Sequence, residues 1–399
     1  MNTGLNRWVV CLLLALSVPS AWGDTVFSFN GTGDPIRRVD ARSRGMGSAG
    51  RALSDGNNFS SVNPALLASF KRAGLGSLYF IQHRSISDGS RSWGTSDGDL
   101  AGFHLVIPVR PGTVFSVGLE GLTDVDFGLL DSVGVSTSGA YVQQVKGSGG
   151  IQAATVAAGH RIGRFQVGAR MDMILLGTVN ERWTKVFVDH TFTSSEDDIS
   201  RTHRGLQPSF GLIYQHDKSM SAALTASPAA TITQTQRIRR YLGRLPFQRL
   251  LGWQEESELD VELPASLGLG FAYTTGYRWT VAADAARSYW SSTGAGGRSD
   301  TRELSLGVMY RTGSADLLQR DMRVELMGGL RSRTLYFSTP GGEQLGEWAL
   351  SMGLGIPLRS NGVGTFRTIM EVGSRGDTSI QGLSERFVQV SFGFTGWVK

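Results

Sequence analysis

The sequence predicts an all-β fold: a fourteen-stranded antiparallel transmembrane β-barrel with an N-terminal hatch segment. Three observations lead to this prediction. The first 23 residues have the pattern of an export signal, the rest has no apolar run of the ~18 to 20 residues that a membrane helix needs, and most of the chain divides into segments of alternating polarity. An exported chain that sits in a membrane without spanning helices must do so as a closed barrel, because its backbone polar groups must be paired internally.

Residues 1–23 are predicted to be a removable signal peptide. They have a positive start at Arg7, an apolar stretch over 8–19 and a small-residue exit that ends at Gly23. The chain's single cysteine, Cys11, lies inside this stretch. The exported product is therefore expected to have no disulfide, thiol nucleophile or cysteine-ligated metal.

Overall composition fits an exported β-protein. The net formal charge is only +5, far from what a nucleic-acid-binding protein needs, so nucleic acid is excluded as a partner. Glycine accounts for 53 of 399 residues, nearly twice the usual share of ~7 per cent, without a collagen repeat. Such a composition favours many strands joined by turns.

The segment that follows the signal is predicted to be a hatch, or plug, over 24–70, with the barrel over 71–399. Residues 24–68 lack strand periodicity and contain a glycine cluster around Gly45 and Gly47, followed by Asn63-Pro64-Ala65. They are expected to be irregular or briefly helical.

Fourteen segments of alternating polarity follow, with the length of roughly 10 to 14 residues that a tilted membrane strand needs. They are 73–83, 99–109, 113–126, 150–161, 164–178, 206–216, 218–228, 265–275, 277–290, 302–312, 321–335, 346–358, 362–374 and 385–397. An even number is typical of bacterial single-chain barrels.

The connections between these segments alternate between short and long, as periplasmic turns and external loops do in outer-membrane barrels. The long ones are 84–98, 127–149, 179–205, 229–264, 291–301, 336–345 and 375–384. This phase predicts that both termini are periplasmic. A soluble β-sandwich or propeller would also show alternating strands and is the alternative fold.

The two faces of the predicted strands differ in chemistry. Leu267, Leu269, Phe271 and Tyr273 form an apolar stripe in the eighth segment, and 348–356 carries another in the twelfth. These stripes are expected to face lipid. The opposite faces carry charges that suit a polar lumen, where an internal salt-bridge network is favoured over a transport role: Glu120, Arg170, Asp172, Asp284, Glu303, Arg323, Glu325, Arg367 and Glu371.

Motif searches give no catalytic residue, cofactor or metal, and the protein is predicted not to be an enzyme. A G-x-G-x-x-G match at 45–50 has no βαβ context, and a G-x-S-x-G match at 94–98 lies in a polar loop rather than at a strand-to-helix turn. The six histidines show no metal-ligand spacing. An outer-membrane hydrolase would need lumen-facing His104 beside a serine and an acid, and no motif assembles them.

The predicted external loop 229–264 has the most informative composition. Ile238, Tyr241, Leu242 and Leu245 recur at helical spacing, and arginines flank further apolar residues. An apolar surface edged by arginine suits an amphiphile with an anionic head group, because guanidinium binds carboxylate in bidentate fashion. Binding of lipopolysaccharide phosphates or neighbouring loops is the alternative.

The residues over 41–52, ARSRGMGSAGRA, together with Asp55 and NPALL at 63–67, resemble the plug of the long-chain fatty-acid outer-membrane transporters and their hydrocarbon-uptake relatives. Leu263-Pro264 is also similar to that family. The resemblance implies a fourteen-stranded barrel closed by a hatch, whose motif here is Gly45, Gly47, Asn63, Pro64 and Ala65. It also implies enlarged third and fourth external loops, here 179–205 and 229–264.

The resemblance implies diffusion-driven uptake of long-chain fatty acids, hydrocarbons or other hydrophobic molecules, by external capture and lateral release. Candidate capture residues are Leu245, Phe247, Leu250 and Trp253, with Arg237 or Arg240 binding the head group and Phe27 or Phe29 bordering a deeper pocket. The alternative is a barrel of the same family that serves as a secretion or surface-attachment partner. Expected partners are the substrate, outer-membrane lipids, lipopolysaccharide and the barrel-assembly machinery; a monomer in the bacterial outer membrane is expected.

Overall fold

The computed structural model describes residues 33–90, 92–136, 139–187, 193–243, 249–276, 278–294, 298–312, 324–338, 343–358 and 364–398. The strands are β1 (Asp34–Pro35), β2 (Gly74–Ser87), β3 (Ser92–Arg110), β4 (Thr113–Ser136), β5 (Gly139–Ile162), β6 (Phe165–Leu176), β7 (Thr178–Phe187), β8 (Ser194–Gln215), β9 (Met220–Ser227), β10 (Ala230–Gly243), β11 (Leu250–Leu263), β12 (Ser266–Thr275), β13 (Trp279–Ser288), β14 (Thr301–Arg311), β15 (Glu325–Ser338), β16 (Gln344–Pro357), β17 (Gly364–Arg375) and β18 (Ser384–Trp397). Short helices are α1 (Ala41–Gly45) and α2 (Thr378–Gln381), with 3-10 turns at Pro64–Ser69 and Trp290–Ser292.

Strands β2 to β18 form one antiparallel sheet that closes on itself. Closure occurs because β18 pairs with β2 along its whole length, from Ser384 opposite Ser87 to Trp397 opposite Gly74. Three crossings of the wall are each divided into two strands, β6 with β7, β9 with β10 and β11 with β12. The wall therefore has fourteen strands, and the predicted fold class is confirmed.

The predicted lipid-facing stripes lie on the outside of the barrel. Leu267, Leu269, Phe271 and Tyr273 are 41 to 60 per cent exposed, whereas Ala272 between them is buried. The stripe on β16 is likewise exposed. No helix in the described ranges is long and apolar enough to cross a membrane.

Four predicted external loops are instead mainly continuations of the strands. In 84–98, β2 runs to Ser87 and β3 starts at Ser92, so the G-x-S-x-G match at 94–98 lies in β3, and the prediction that it lies in a loop was wrong. The ranges 127–149, 179–205 and 229–264 contribute to a six-stranded sheet, here called the projecting sheet, in the order β4, β5, β7, β8, β10, β11. Outside a membrane both faces of a sheet can meet water, so the polarity contrast that marks a membrane strand disappears while backbone pairing continues. The prediction of loops here was therefore wrong.

The helical spacing inferred for 238–245 was also wrong over its described part. Residues up to Gly243 belong to β10, which pairs with β8 on one side and β11 on the other. The preceding run from Thr231 to Thr235 is rich in β-branched residues, which favour strands. Pairing on both edges outweighs a short apolar spacing that happens to fit a helix.

Residues 33–73, here called the inner segment, lie against the inner face of the wall. The largest buried apolar cluster joins this segment to six wall strands: Met46, Ala49, Ala52, Leu53, Ala65, Leu66, Ile213, Ala223, Ala272, Ala282, Met309 and Met327. The core of the protein is therefore the contact between the inner segment and the barrel, and this contact positions the features described next.

Candidate functional site

The wall of the barrel has a break between β3 and β4. The two strands pair from Arg110 opposite Thr113 up to Gly102 opposite Glu120 and then separate. The register of β3 against β2 and of β4 against β5 shifts at this level, leaving Ala101 and Leu122 as extra residues. Such β-bulges bend a strand, which explains why the strands diverge here.

The start of the inner segment occupies the strand position that β3 leaves. Because β5 covers the other edge of β4, β1 must pair with the edge that faces β3; Asp34 lies opposite Asp124 and Pro35 opposite Thr123. The Ile36 amide donates to the Leu122 carbonyl over 2.9 Å. The inner segment thus covers the break with a two-residue strand and the residue after it.

Apolar side chains surround the break. Ile36 packs beside the buried cluster of Ala41, Leu78, Phe80, Ala101 and Ile369. A Cβ built on Gly121 would lie 2.6 Å from Ile36 Cδ1, so this glycine makes room for the isoleucine. On the lipid side, Leu100 and Leu119 are 45 and 48 per cent exposed.

Buried ion pairs join the inner segment to the wall strands β15, β16 and β17. The Arg37 guanidinium donates to Glu371 Oε1 over 2.7 Å, and Arg375 Nη1 lies 2.7 Å from Asp34 Oδ2. Glu347 is the centre of the cluster, with its side chain fully buried. The arginines that contact Glu347 are Arg37, Arg331, Arg333 and Arg375.

A second ion cluster lies near the break. Arg38 binds Asp172 in bidentate fashion, with nitrogen to oxygen distances of 2.7 and 2.8 Å, and its Nε donates to Glu120 over 2.5 Å. Arg170 lies 3.0 Å from Asp172. These contacts confirm the predicted internal salt-bridge network. Of the predicted charges, Arg323 lies outside the described residues. Arg37, Arg38 and Glu347 had been missed, because the two arginines lie in a segment without periodicity and Glu347 had not been assigned to the inner face of its strand.

A third cluster fixes the middle of the inner segment. Arg42 donates to both carboxylate oxygens of Asp55 over 2.6 and 2.9 Å, and Arg311 of the wall reaches the same carboxylate over 3.1 Å. Partial desolvation raises the pKa of Asp55, whose side chain is 39 per cent exposed, but the two guanidinium groups outweigh this effect and hold the pKa well below its usual range. Asp55 therefore stays ionised in this site.

The glycine motif allows the inner segment to approach the wall closely. Gly47 has φ +66°, and a Cβ built on it would lie 2.6 Å from the Leu330 amide nitrogen. On the wall side, a Cβ on Gly329 would lie 2.1 Å from the Gly47 nitrogen. A Cβ on Gly45 would lie 3.1 Å from the Met327 side chain, which is a looser contact than the backbone contacts of Gly47 and Gly329. Backbone contact of this kind tolerates no larger residue.

The Asn63-Pro64-Ala65 motif begins a 3-10 turn that packs against the wall. Asn63 Oδ1 accepts from the Ala65 amide over 3.0 Å, and its side-chain amide donates to the Arg51 carbonyl over 2.7 Å. Gly168 and Gly211 of the wall leave space for this turn. All five predicted motif residues therefore contact the barrel or cap a turn that does.

Three of the candidate binding residues, Arg240, Leu250 and Trp253, share one face of the projecting sheet. Register places Arg240 opposite Trp253 and Leu242 opposite Leu250, on the face that continues the inner surface of the barrel. Arg240 Nε donates to Asp197 over 2.6 Å, and its guanidinium lies 5.0 Å from the Trp253 ring centroid. Leu250 is 59 per cent exposed.

Arg237 lies on the opposite face of the same sheet. Its guanidinium is 3.1 Å from Glu256 and well exposed. This face borders a cleft of about 920 Å³ whose lining carries charges of both signs, among them Lys146, Arg182 and Asp198. The cleft suits a polar ligand better than a hydrocarbon. Phe27, Phe29, Leu245 and Phe247 lie outside the described residues.

His104 faces the lumen, as expected, but not in a catalytic arrangement. Its Nε2 is 2.8 Å from Glu120 Oε1, and the Ser61 hydroxyl also donates to Glu120. The carboxylate rather than the imidazole contacts the hydroxyl, so His104 cannot take the proton of Ser61 as a general base. In the described ranges no group of three or more His, Cys, Asp or Glu side chains could hold a metal ion.

Comparisons with known proteins agree with this architecture. The sequence model of the BamG family matches residues 6–396. No curated protein matches the sequence. Among solved structures, the CymD monoaromatic hydrocarbon channel is similar with a TM-score of 0.62 at 16 per cent identity, covering 92 per cent of this chain and 99 per cent of that one.

Two further structures have the same fold. The toluene transporter TbuX of Ralstonia pickettii has a TM-score of 0.58 at 15 per cent identity, covering 93 per cent of this chain and 100 per cent of its own. A FadL homologue of Pseudomonas aeruginosa has a TM-score of 0.57 at 11 per cent identity, covering 91 and 99 per cent respectively. The resemblance noted in the sequence is thus confirmed at the level of the fold.

Proposed function

The chain is an outer-membrane β-barrel of the BamG family with the fold of the hydrocarbon and FadL-type channels, and from this premise we propose that it takes up hydrophobic or amphipathic small molecules. The inner segment acts as the hatch. The observation that carries the proposal is the apolar break between β3 and β4, which the start of the inner segment covers.

A break of this kind provides a lateral exit. An apolar molecule in the lumen gains roughly 25 cal/mol for each Å² of apolar surface that it moves from water into lipid, so release sideways is downhill. Ile36 and the cluster around Ala101 line the inner side of the break, and Leu100 and Leu119 the lipid side. Withdrawal of β1 and Ile36 would connect the two.

Capture is assigned to the inner face of the projecting sheet. Trp253 and Leu250 offer apolar surface, and Arg240 is the head-group partner because it shares their face, unlike Arg237. A fatty-acid carboxylate would compete with Asp197 for this guanidinium. Long-chain fatty acids are therefore the first substrate class to test, with monoaromatic hydrocarbons second.

The experiment measures saturable flux of a labelled long-chain fatty acid through the purified barrel in liposomes. The variant Phe247→Ser/Trp253→Ser should reduce flux roughly tenfold, because it removes two aromatic side chains from the proposed capture region. Leu251→Ser is the matched control, since Leu251 is 55 per cent exposed on the opposite face of the same strand. A heat-shift gel confirms folding. Equal loss of flux in the control, or loss of folded barrel in the variant, would contradict the assignment.

A second candidate function is attachment of another protein, as a secretion or surface partner. Two observations favour it. The cleft beside Arg237 is lined by charges of both signs, and the projecting sheet extends well beyond the membrane strands. A folded barrel that binds no fatty acid or hydrocarbon but retains exported proteins in a pull-down would support this role over uptake.

A further inference from the structure

Strand β11 is the last strand of the projecting sheet and has only one neighbour. Its residues pair with β10, from Leu250 to Leu263. On its other side, strand pairing begins only after β11 has ended, where Ser266 of β12 lies opposite Ser288 of β13. Among the described residues, the second edge of β11 has no strand partner, so alternate residues of this 14-residue strand direct their backbone donors and acceptors to an edge without a neighbouring strand.

This edge is long, regular and accessible. The pairing with β10 continues without a register shift from Leu263 to Trp253. Both faces of the strand are exposed over 250–260, and Leu259 is 61 per cent exposed. Native proteins usually shorten, twist or cover such edges, because an open edge pairs with other chains.

The side chains of β11 give the edge a defined chemistry. One face carries a row of acids, Glu256, Glu258, Asp260 and Glu262, here called the acidic row. The other face carries Trp253, Leu259 and Val261, with Glu255 and Ser257 between them. The strand is therefore amphipathic, with acids outside and mainly apolar residues on the face that continues the lumen surface.

Strand β10 leaves most of the acidic row unneutralised. Arg237 lies 3.1 Å from Glu256, but the residues opposite the other three acids are threonines. Within the described ranges, Glu258, Asp260 and Glu262 have no ion pair. A second copy of β11 would bring acids beside acids, which is unfavourable across a strand pair.

We infer that the free edge of β11 binds an extended cationic segment of another protein, which adds to the projecting sheet as a further strand. The segment carries Lys or Arg at alternate positions, beside the acidic row, and apolar residues between them, beside Leu259 and Val261. Backbone hydrogen bonds supply the pairing, and the charges select the partner. This inference does not rest on the uptake function.

The test uses the full-length barrel in detergent, without fatty acid, and a fluorescent peptide of about twelve residues that alternates lysine and valine. We expect this peptide to bind roughly tenfold or more tightly than two controls: an alternating glutamate and valine peptide, and the same lysine peptide with every second backbone nitrogen methylated. Hydrogen exchange should show new protection of the β11 amides when the lysine peptide is bound.

Substitutions then locate the site. Glu258→Gln/Asp260→Asn/Glu262→Gln should weaken binding roughly tenfold or more. Glu255→Gln removes one charge from the other face of the same strand and should change binding less than about threefold.

Unaltered binding by the triple variant, equal binding of the methylated peptide, binding without protection of β11, or no binding at all would each overturn the inference. The protection measurement on the unsubstituted barrel decides the matter even if the triple variant does not fold. Failure here leaves the fatty-acid flux measurement unaffected, so the two proposals are tested separately.

Discussion

Replacing Arg38 with methionine should loosen the inner segment without unfolding the barrel. Arg38 makes three charge-assisted hydrogen bonds at 2.5 to 2.8 Å to Glu120 and Asp172, whose side chains are 3 and 0 per cent exposed. Removing the guanidinium leaves two buried carboxylates. Breaking a buried pair in this way costs about 3–5 kcal/mol.

The free-energy cost of Arg38→Met should stay within this range of about 3–5 kcal/mol when the whole ion cluster is considered. Arg170 remains 3.0 Å from Asp172, and His104 remains 2.8 Å from Glu120, so neither carboxylate loses every partner. At 1.4 kcal/mol per tenfold, the loss raises the population in which the segment is detached by roughly two to three and a half powers of ten. The barrel itself keeps its closed hydrogen-bonded sheet.

Hydrogen exchange of the inner-segment amides measures this population directly. In Arg38→Met we expect faster exchange over 34–60 by about that factor, with unchanged exchange in β16 to β18 and an unchanged heat-shift on a gel. The double variant Arg38→Met/Asp172→Asn restores charge balance and should recover most of the protection. Equal exchange in Arg38→Met and the unsubstituted protein would refute the view that these ion pairs hold the segment.

Two further predictions concern the contacts that fix the inner segment to the wall. Gly329→Ala should lower the free energy of unfolding by about 1–3 kcal/mol, because the new Cβ pushes against the Gly47 nitrogen. Gly346→Ala is the control and should be nearly neutral, because nothing lies within 4 Å of its new Cβ. Thermal unfolding compares the two variants, and equal midpoints would contradict the packing. Protection of the inner segment should persist from pH 8 to pH 5, because Arg42 and Arg311 hold the pKa of Asp55 low against the effect of partial desolvation. A carboxyl whose pKa is lowered in the folded state contributes its full stabilisation of that state when the pH is above its unfolded pKa of about 4. This contribution is lost only as the pH falls below that value, so loss of protection near pH 6 would count against the ion pair.

The sequence predicted the membrane part of the barrel well, and the reason is physical. Between lipid and lumen each strand alternates between two different environments, so residues such as Leu269 and Ala272 mark outside and inside. The projecting sheet has water on both sides and gives no such contrast. Its strands were therefore predicted as loops, although their strand-forming composition was present in runs such as 231–235.

The contacts of the inner segment were only partly predictable. The glycine motif and Asn63 indicated an unusual backbone conformation in the inner segment. They did not indicate which glycines of the wall pack against it, because these contacts join residues more than 100 positions apart. The break between β3 and β4 depends on bulges at Ala101 and Leu122. A bulge changes the pairing of strands without changing residue type, so no pattern in a single sequence marks it.

The most direct test of the account is a reversible lock on β1. Pro35 and Thr123 are opposite each other in the β1–β4 pair, and the chain's single cysteine, Cys11, lies in the predicted signal peptide, so Pro35→Cys/Thr123→Cys introduces one candidate disulfide. Labelled long-chain fatty-acid flux would be measured through the same liposomes before and after reduction. The account predicts that oxidation abolishes saturable flux and that reduction restores it; equal flux in both states would contradict release through the break.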